Sequence, residues 1–219
     1  MKIYLIGDSI SIHYGLYLQQ YLHGFMDYSR KQGEDEALLD LDNPQGANGG
    51  DSTMVRSYLE ARALKNGIAA DILLLNCGLH DIKRALGINA LQVPINQYRE
   101  NLRAIVKLVE KMGLKLVWIR TTPCDETVHN CGRKLEFKRF AADCEEYNCA
   151  ADEIMVETKT PSIDLYSFTL NLGSNLYCDH VHFPPHIREK QAAFIAGWLA
   201  AAFPGAFKLK NRKTEAPML

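Results

Sequence analysis

The first twenty residues, MKIYLIGDSISIHYGLYLQQ, constrain this chain more than any other stretch. Lys2 to Ile6 reads as a β-strand, and at Gly7-Asp8-Ser9 the pattern changes to an amphipathic helix that begins near Ile10 or Ser11 and ends near Tyr21 to Met26. A serine at such a corner is expected to be displayed. Gly7 allows a tight backbone, and the helix start aims unpaired N–H groups and the positive end of its dipole at the corner. An oxyanion forming on a carbonyl attacked by Ser9 would be stabilised there. Capping of the helix by Ser9 is the competing reading of the same residues.

The 219 residues suffice for one α/β domain with a sizeable core, and no Pro/Gly/Ser-rich linker divides them. We read residues 1–205 as that domain and 206–219 as a polar, basic tail without apolar period. A net charge of −1 supplies no basic field for nucleic acid. No apolar run is long enough to span a membrane, and no leader precedes the first strand, so a cytoplasmic location is expected. The six cysteines are then read as thiols. Cys124, His129, Cys131, Cys144 and Cys149 raise a zinc site as a question, but they lack a paired C-x-x-C knuckle, and no metal is assigned.

Along the chain, residues 27–36 read as a loop and 37–41 as a short second strand. The glycine-rich stretch 43–50 follows, and then a helix over residues 54–66, capped by Asp51, Ser52 or Thr53. Residues 70–77 are apolar nearly throughout, as a central parallel strand requires, and end in a second corner, Gly78-Leu79-His80-Asp81. An amphipathic helix over 94–112, a buried strand over 114–121, a loop over 122–133, a helix over 134–157, a strand over 162–165, an irregular stretch over 166–176 and a helix over 185–202 complete the chain. The alternation predicts a three-layer α/β/α sandwich around a five-stranded parallel sheet of order 2-1-3-4-5. Its functional loops lie beyond the carboxyl ends of the strands, which gathers Ser9, the Gly49-Gly50 turn, the His80 corner and residues 179–182.

Asp179 and His182 are spaced so that one turn can close a carboxylate-to-imidazole hydrogen bond. The carboxylate would fix the tautomer and support the imidazolium formed when Ser9 gives up its proton. Asp8 and Asp81, both at strand ends, are read as acceptors for loop N–H groups. Lys83 and Arg84 are read either as a solvated face or as recognition of an anionic substrate group.

Gly7-Asp8-Ser9-Ile10, Gly50-Asp51-Ser52, Gly78-Leu79-His80-Asp81 and Asp179-His180-Val181-His182 resemble, in order, the four motif blocks of the SGNH hydrolases, or GDSL esterase/lipase family. The resemblance spans nearly the whole chain. It implies a flavodoxin-like fold and ester hydrolysis through a serine acyl-enzyme, with Ser9 as nucleophile, His182 as general base and then acid, and Asp179 orienting His182. It also implies oxyanion donors at the backbone N–H groups of Ser9 and Gly50. The third block departs from the family's Gly-x-Asn-Asp, because His80 stands where the Asn amide would donate. An imidazole N–H can donate one bond in its place. The substrate we favour is a small ester, a carbohydrate O-acetyl or short-chain acyl ester, and the chemistry requires no cofactor. A non-catalytic binding module on the same fold is the alternative, as is an acyltransferase or lysophospholipase-type activity.

Overall fold

The structure, a computed structural model, describes residues 1–131 and 136–207. In chain order it runs β1 (Lys2–Ile6), α1 (Ser9–Leu22), β2 (Asp27–Arg30), α2 (Glu34–Leu39), α3 (Ser52–Leu64), β3 (Ile72–Leu75), β4 (Arg84–Ala85) and α4 (Ile95–Lys111). Then come β5 (Lys115–Ile119), α5 (Glu126–Cys131), β6 (Phe137–Lys138), α6 (Ala141–Glu157), β7 (Ser162–Ile163), α7 (Leu165–Leu170), α8 (Pro185–Ala202) and a 3-10 turn (Pro204–Phe207). Five strands form one parallel sheet in the order β2-β1-β3-β5-β7. This is the expected 2-1-3-4-5 once β4 and β6, which pair with each other antiparallel, are set aside.

The sheet is buried because helices cover both faces. All four residues of β3 are buried, as are Leu116 to Ile119 of β5, and such uninterrupted apolar strands need cover on each side. Helix α1 packs on α8 and α3 on α4. No helix among the described residues is long and apolar enough to cross a membrane.

Four local expectations are corrected. The second strand is Asp27–Arg30, not 37–41, which belongs to α2 and the segment after it. As an edge strand β2 pairs, among the described residues, only with β1, and its exposed Asp27 and Ser29 erase the apolar signal. The stretch 122–133 contains helix α5, and the helix expected from 134 starts only at Ala141, after β6; residues 132–135 lie outside the described residues. The irregular stretch 166–176 begins with α7. The tail residues 208–219 also lie outside the described residues, whereas Phe207 stacks on Phe25 with ring centroids 5.1 Å apart.

Register brings the corners together. Ile6 pairs with Leu75, and Asn76 N–H donates to Ile6 O at 3.0 Å, so the turn after β1 and the turn after β3 leave the sheet side by side. On the other flank Gly7 bridges Asn48, and Gly49 N–H donates to Gly7 O at 2.8 Å, which holds the glycine-rich loop against the Ser9 corner.

Candidate active site

Asp8 is the N-cap of α1: its Oδ1 accepts from Ile10 N–H at 3.0 Å, and burial pushes its pKa up. Ser9 therefore occupies the first helical position, where a backbone N–H has no partner within the helix. Gly7 is required by close approach, because a Cβ there would stand 2.7 Å from Ser11 Cβ. Gly50 lies at φ +72°, a backbone that side chains disfavour.

The two ends of the chain meet at this corner. His182 Nε2 is 2.8 Å from Ser9 Oγ, and His182 Nδ1 is 2.8 Å from Asp179 Oδ2. The other Asp179 oxygen accepts from the N–H groups of Val181 at 2.9 Å and His182 at 2.7 Å. Burial opposes the charge on Asp179, but these hydrogen bonds and the imidazole hold its pKa well below the usual carboxylate range. An ionised Asp179 fixes the proton of His182 on Nδ1 and leaves Nε2 as the acceptor facing the hydroxyl. The corner is less open than a displayed serine suggests: Ser9 is only 4% exposed beside the His182 ring.

His80 is buried, and its Nδ1 has no hydrogen-bond partner among the described residues. Burial drives its pKa far down, helped by Lys83 and Arg139, so the ring is neutral and carries one N–H. The Gly50 N–H is engaged, donating to Asn48 Oδ1 at 3.0 Å. Asp81 accepts from Ser52 N–H at 2.9 Å and caps α3 with Asp51, and burial raises its pKa to about 8.

The two basic residues weighed for anion recognition are bound elsewhere. Arg84 forks onto Asp143 of α6 with two contacts of 2.7 Å and donates to Asn89 O, which commits it to α6 and the segment after β4. Lys83 Nζ donates to Asp42 O at 2.6 Å and lies 4.3 Å from the centre of the Phe137 ring; burial lowers its pKa to about 8. Among the described residues no three of those weighed for zinc bring ligand atoms together, although Cys124 and Cys144 are hydrogen-bonded to each other. Cys124 and Cys144 are buried with their thiols directed at the carbonyls of Phe140 and Thr122, and Cys131 and Cys149 are exposed. Donor atoms of Asp179, His180 and His182 do lie within 4.8 Å of one another, but the ring nitrogens of both histidines are already hydrogen-bonded.

His13 and Arg139, which no motif marks, stand beside this centre. The His13 and His182 ring centroids are 5.0 Å apart, and burial takes the His13 pKa down to about 3. His13 also lines a cavity of about 440 Å³ that follows α1 past Leu16, Tyr17 and Gln20 to Tyr28 and Arg188. Arg139 is buried, and its Nε donates to Leu79 O at 2.7 Å beside His80. No spacing in the sequence announces these contacts.

Solved structures with the same arrangement of sheet and helices identify the fold. An acetyl xylan esterase, AlAXEase, superposes with a TM-score of 0.67 over 91% of this chain and 100% of its own, at 16% identity. A lipase/acylhydrolase from Enterococcus faecalis gives 0.66 over 92% and 96%, at 18% identity. This chain has the SGNH-hydrolase fold. A carbohydrate acetylesterase from Sinorhizobium meliloti follows at 0.60 over 92% and 99%, at 15% identity. No protein-family model matches the chain, and no curated protein matches its sequence. At these identities the SGNH likeness is one of fold.

Proposed function

We propose that the protein is a serine esterase of the SGNH type, and the Asp179–His182–Ser9 hydrogen-bond chain is the observation that carries the reading. Ser9 Oγ attacks the ester carbonyl while its proton passes to His182 Nε2, and Asp179 supports the imidazolium. The negative oxygen of the tetrahedral intermediate faces the Ser9 N–H at the helix start and the neutral His80 ring. The Gly50 N–H joins them when it is shared with Asn48 Oδ1. His182 then returns the proton to the alcohol oxygen as the C–O bond breaks. Water, deprotonated by the same imidazole, releases the acid.

Because His182 must reach the leaving oxygen, the alcohol belongs on the His182 side of Ser9. The cavity that begins at His13, whose ring centroid lies 5.0 Å from that of His182, is on that side, and its mixture of tyrosines, two glutamines and Arg188 suits a hydroxylated alcohol. A carbohydrate O-acetyl or short-chain acyl ester is therefore the favoured substrate, in keeping with the acetylesterases among its structural neighbours. Non-catalytic binding on the same fold is the second reading, favoured by the burial of Ser9 and the engaged Gly50 N–H.

A fluorophosphonate probe with peptide mapping, run beside turnover of p-nitrophenyl acetate, tests the proposal. Labelling at Ser9 and loss of turnover in Ser9→Ala are expected. Equal rates from both proteins would transfer the case to the binding module.

A further inference from the structure

The residues that carry a proton to and from Ser9 sit on a turn, not on a helix or strand. The contacts within that turn fix its shape: Asp179 bonds the N–H groups of Val181 and His182, and Cys178 N–H donates to His182 O at 2.8 Å. None of them fixes where the turn lies relative to Ser9. Ties to other segments must do that, and three hydrogen bonds among them meet at His180, which the esterase chemistry does not use.

His180 is buried, and its Nε2 is 3.1 Å from Asp42 Oδ1. Its Nδ1 is 3.0 Å from His129 Nδ1, which is also 3.3 Å from His180 O. The proton positions follow from the donor inventory. Burial opposes the charge on Asp42, yet the His180 bond and the nearby Arg139 charge together keep the carboxylate pKa low, so Asp42 accepts and His180 Nε2 carries the proton. His180 Nδ1 is then a lone pair, and one N–H on His129 Nδ1 serves both it and the His180 carbonyl. The chain runs from His129 to His180 to Asp42 in a single direction.

Each end of that chain is anchored. His129 belongs to α5, and Asp42 lies in the segment leading to Asn48 and Gly50. The Asp42 carbonyl also receives Lys83 Nζ from beyond the His80 corner. His180 thus joins the turn to the loops carrying Gly50 and His80, while its ring packs edge-on against His182 with centroids 5.7 Å apart. The bond from Tyr177 Oη to Pro123 O at 2.9 Å holds the approach to the turn, and Arg188 of α8 holds its exit by donating to Phe183 O and reaching Cys178 Sγ at 3.7 Å.

We propose that His180 is a positioning residue: held by Asp42 and His129, it fixes the turn in the placement that leaves His182 Nε2 within hydrogen-bonding distance of Ser9 Oγ. The inference rests on the esterase reading for its kinetic consequence but not for its structural one. Misplacement of a reacting group by about 1 Å costs about 100-fold in rate.

The test compares His180→Phe, which keeps a ring against His182 but removes both bonds, with His180→Gln, whose amide can donate to Asp42 and accept from His129. In His180→Phe, kcat for p-nitrophenyl acetate should fall about 10- to 100-fold with KM within about twofold, and fluorophosphonate labelling of Ser9 should slow equally. His180→Gln should recover most of that loss. Proton NMR supplies a readout independent of turnover: the low-field resonance of the His182 Nδ1–H bound to Asp179 should persist in His180→Gln and broaden or shift in His180→Phe. If His180→Phe does not fold, His129→Phe replaces it, with the same expectations. A folded His180→Phe with unchanged kcat and unchanged resonance overturns the inference, as does a loss that glutamine does not recover. If Ser9→Ala retains turnover, the esterase reading fails, and the resonance alone then decides the role of His180.

Discussion

His182 Nε2 stands 2.8 Å from Ser9 Oγ although 173 residues separate them in the chain. Such a contact places a base lone pair on a hydroxyl proton, the geometry that serine nucleophiles require. Removing either partner should therefore remove turnover. Ser9→Ala and His182→Gln are expected to lower kcat for p-nitrophenyl acetate by about 10⁴-fold or more. Asp179→Asn, which leaves the shape but loses the charge, should fall by about 10⁴-fold. Stopped assays at high enzyme concentration measure all three, and a Ser9→Ala loss below tenfold would contradict the assignment.

His80 supplies the next prediction because the proposed reaction gives it the role of an oxyanion donor and burial holds it neutral. Removing one oxyanion donor costs about 100- to 1000-fold in kcat. His80→Ala should show that loss with little change in KM, while His80→Asn, which restores an amide, should lose much less. A fall below threefold in His80→Ala would leave the ring a purely structural part.

Gly7 tests the local backbone. Its missing side chain admits Ser11, whose Oγ is fixed by a 2.7 Å bond to Asp8 O and by Arg30, so the neighbour cannot easily yield. Gly7→Ala should destabilise by about 1–3 kcal/mol, as overpacking does, and displace Ser9. Urea denaturation measures the cost, and the double variant Gly7→Ala/Ser11→Gly should recover part of it. No recovery would mean that the strain has another source.

The sheet and the meeting of Ser9, Asp179 and His182 were legible in the sequence for different reasons. Buried strands such as β3 and β5 announce themselves by uninterrupted apolar residues, and α8 begins at Pro185 and ends at Ala202 as its pattern predicts. The edge strand β2 was not legible, because Tyr28 and Arg30 alternate with exposed polar residues over a single turn's length of chain. Ser9, Asp179 and His182 could be picked from corner position and spacing. The partners of His180 could not, since Asp42 and His129 come from unrelated segments and are joined only by the fold. The charge of Arg84 is visible in sequence, whereas the Asp143 carboxylate that takes its donors is 59 residues away and is joined to it only by the fold.

Buried neutral histidines give the chain an acid limit. Burial against the charged form lowers the pKa values of His13 and His129 to about 3, far below the value near 6.5 of an unfolded histidine. Above pH 6.5 both states are neutral and the contribution is complete. As pH falls from there toward 3, the unfolded chain takes up protons that the folded chain refuses, so stability declines through that window. Asp81 acts in the opposite sense: its folded pKa of about 8 is raised, so its contribution is complete at low pH and is lost as pH rises toward 8. Replacing one histidine by a side chain that cannot titrate isolates the first effect, because Asp81 is common to both proteins. The urea midpoint should drop less between pH 7 and pH 5 in His129→Gln than in the parent, even though its midpoint at pH 7 is lower. Equal drops would show that His129 takes up its proton in the folded state, and would require an acceptor for His129 Nε2, which is buried without a partner among the described residues.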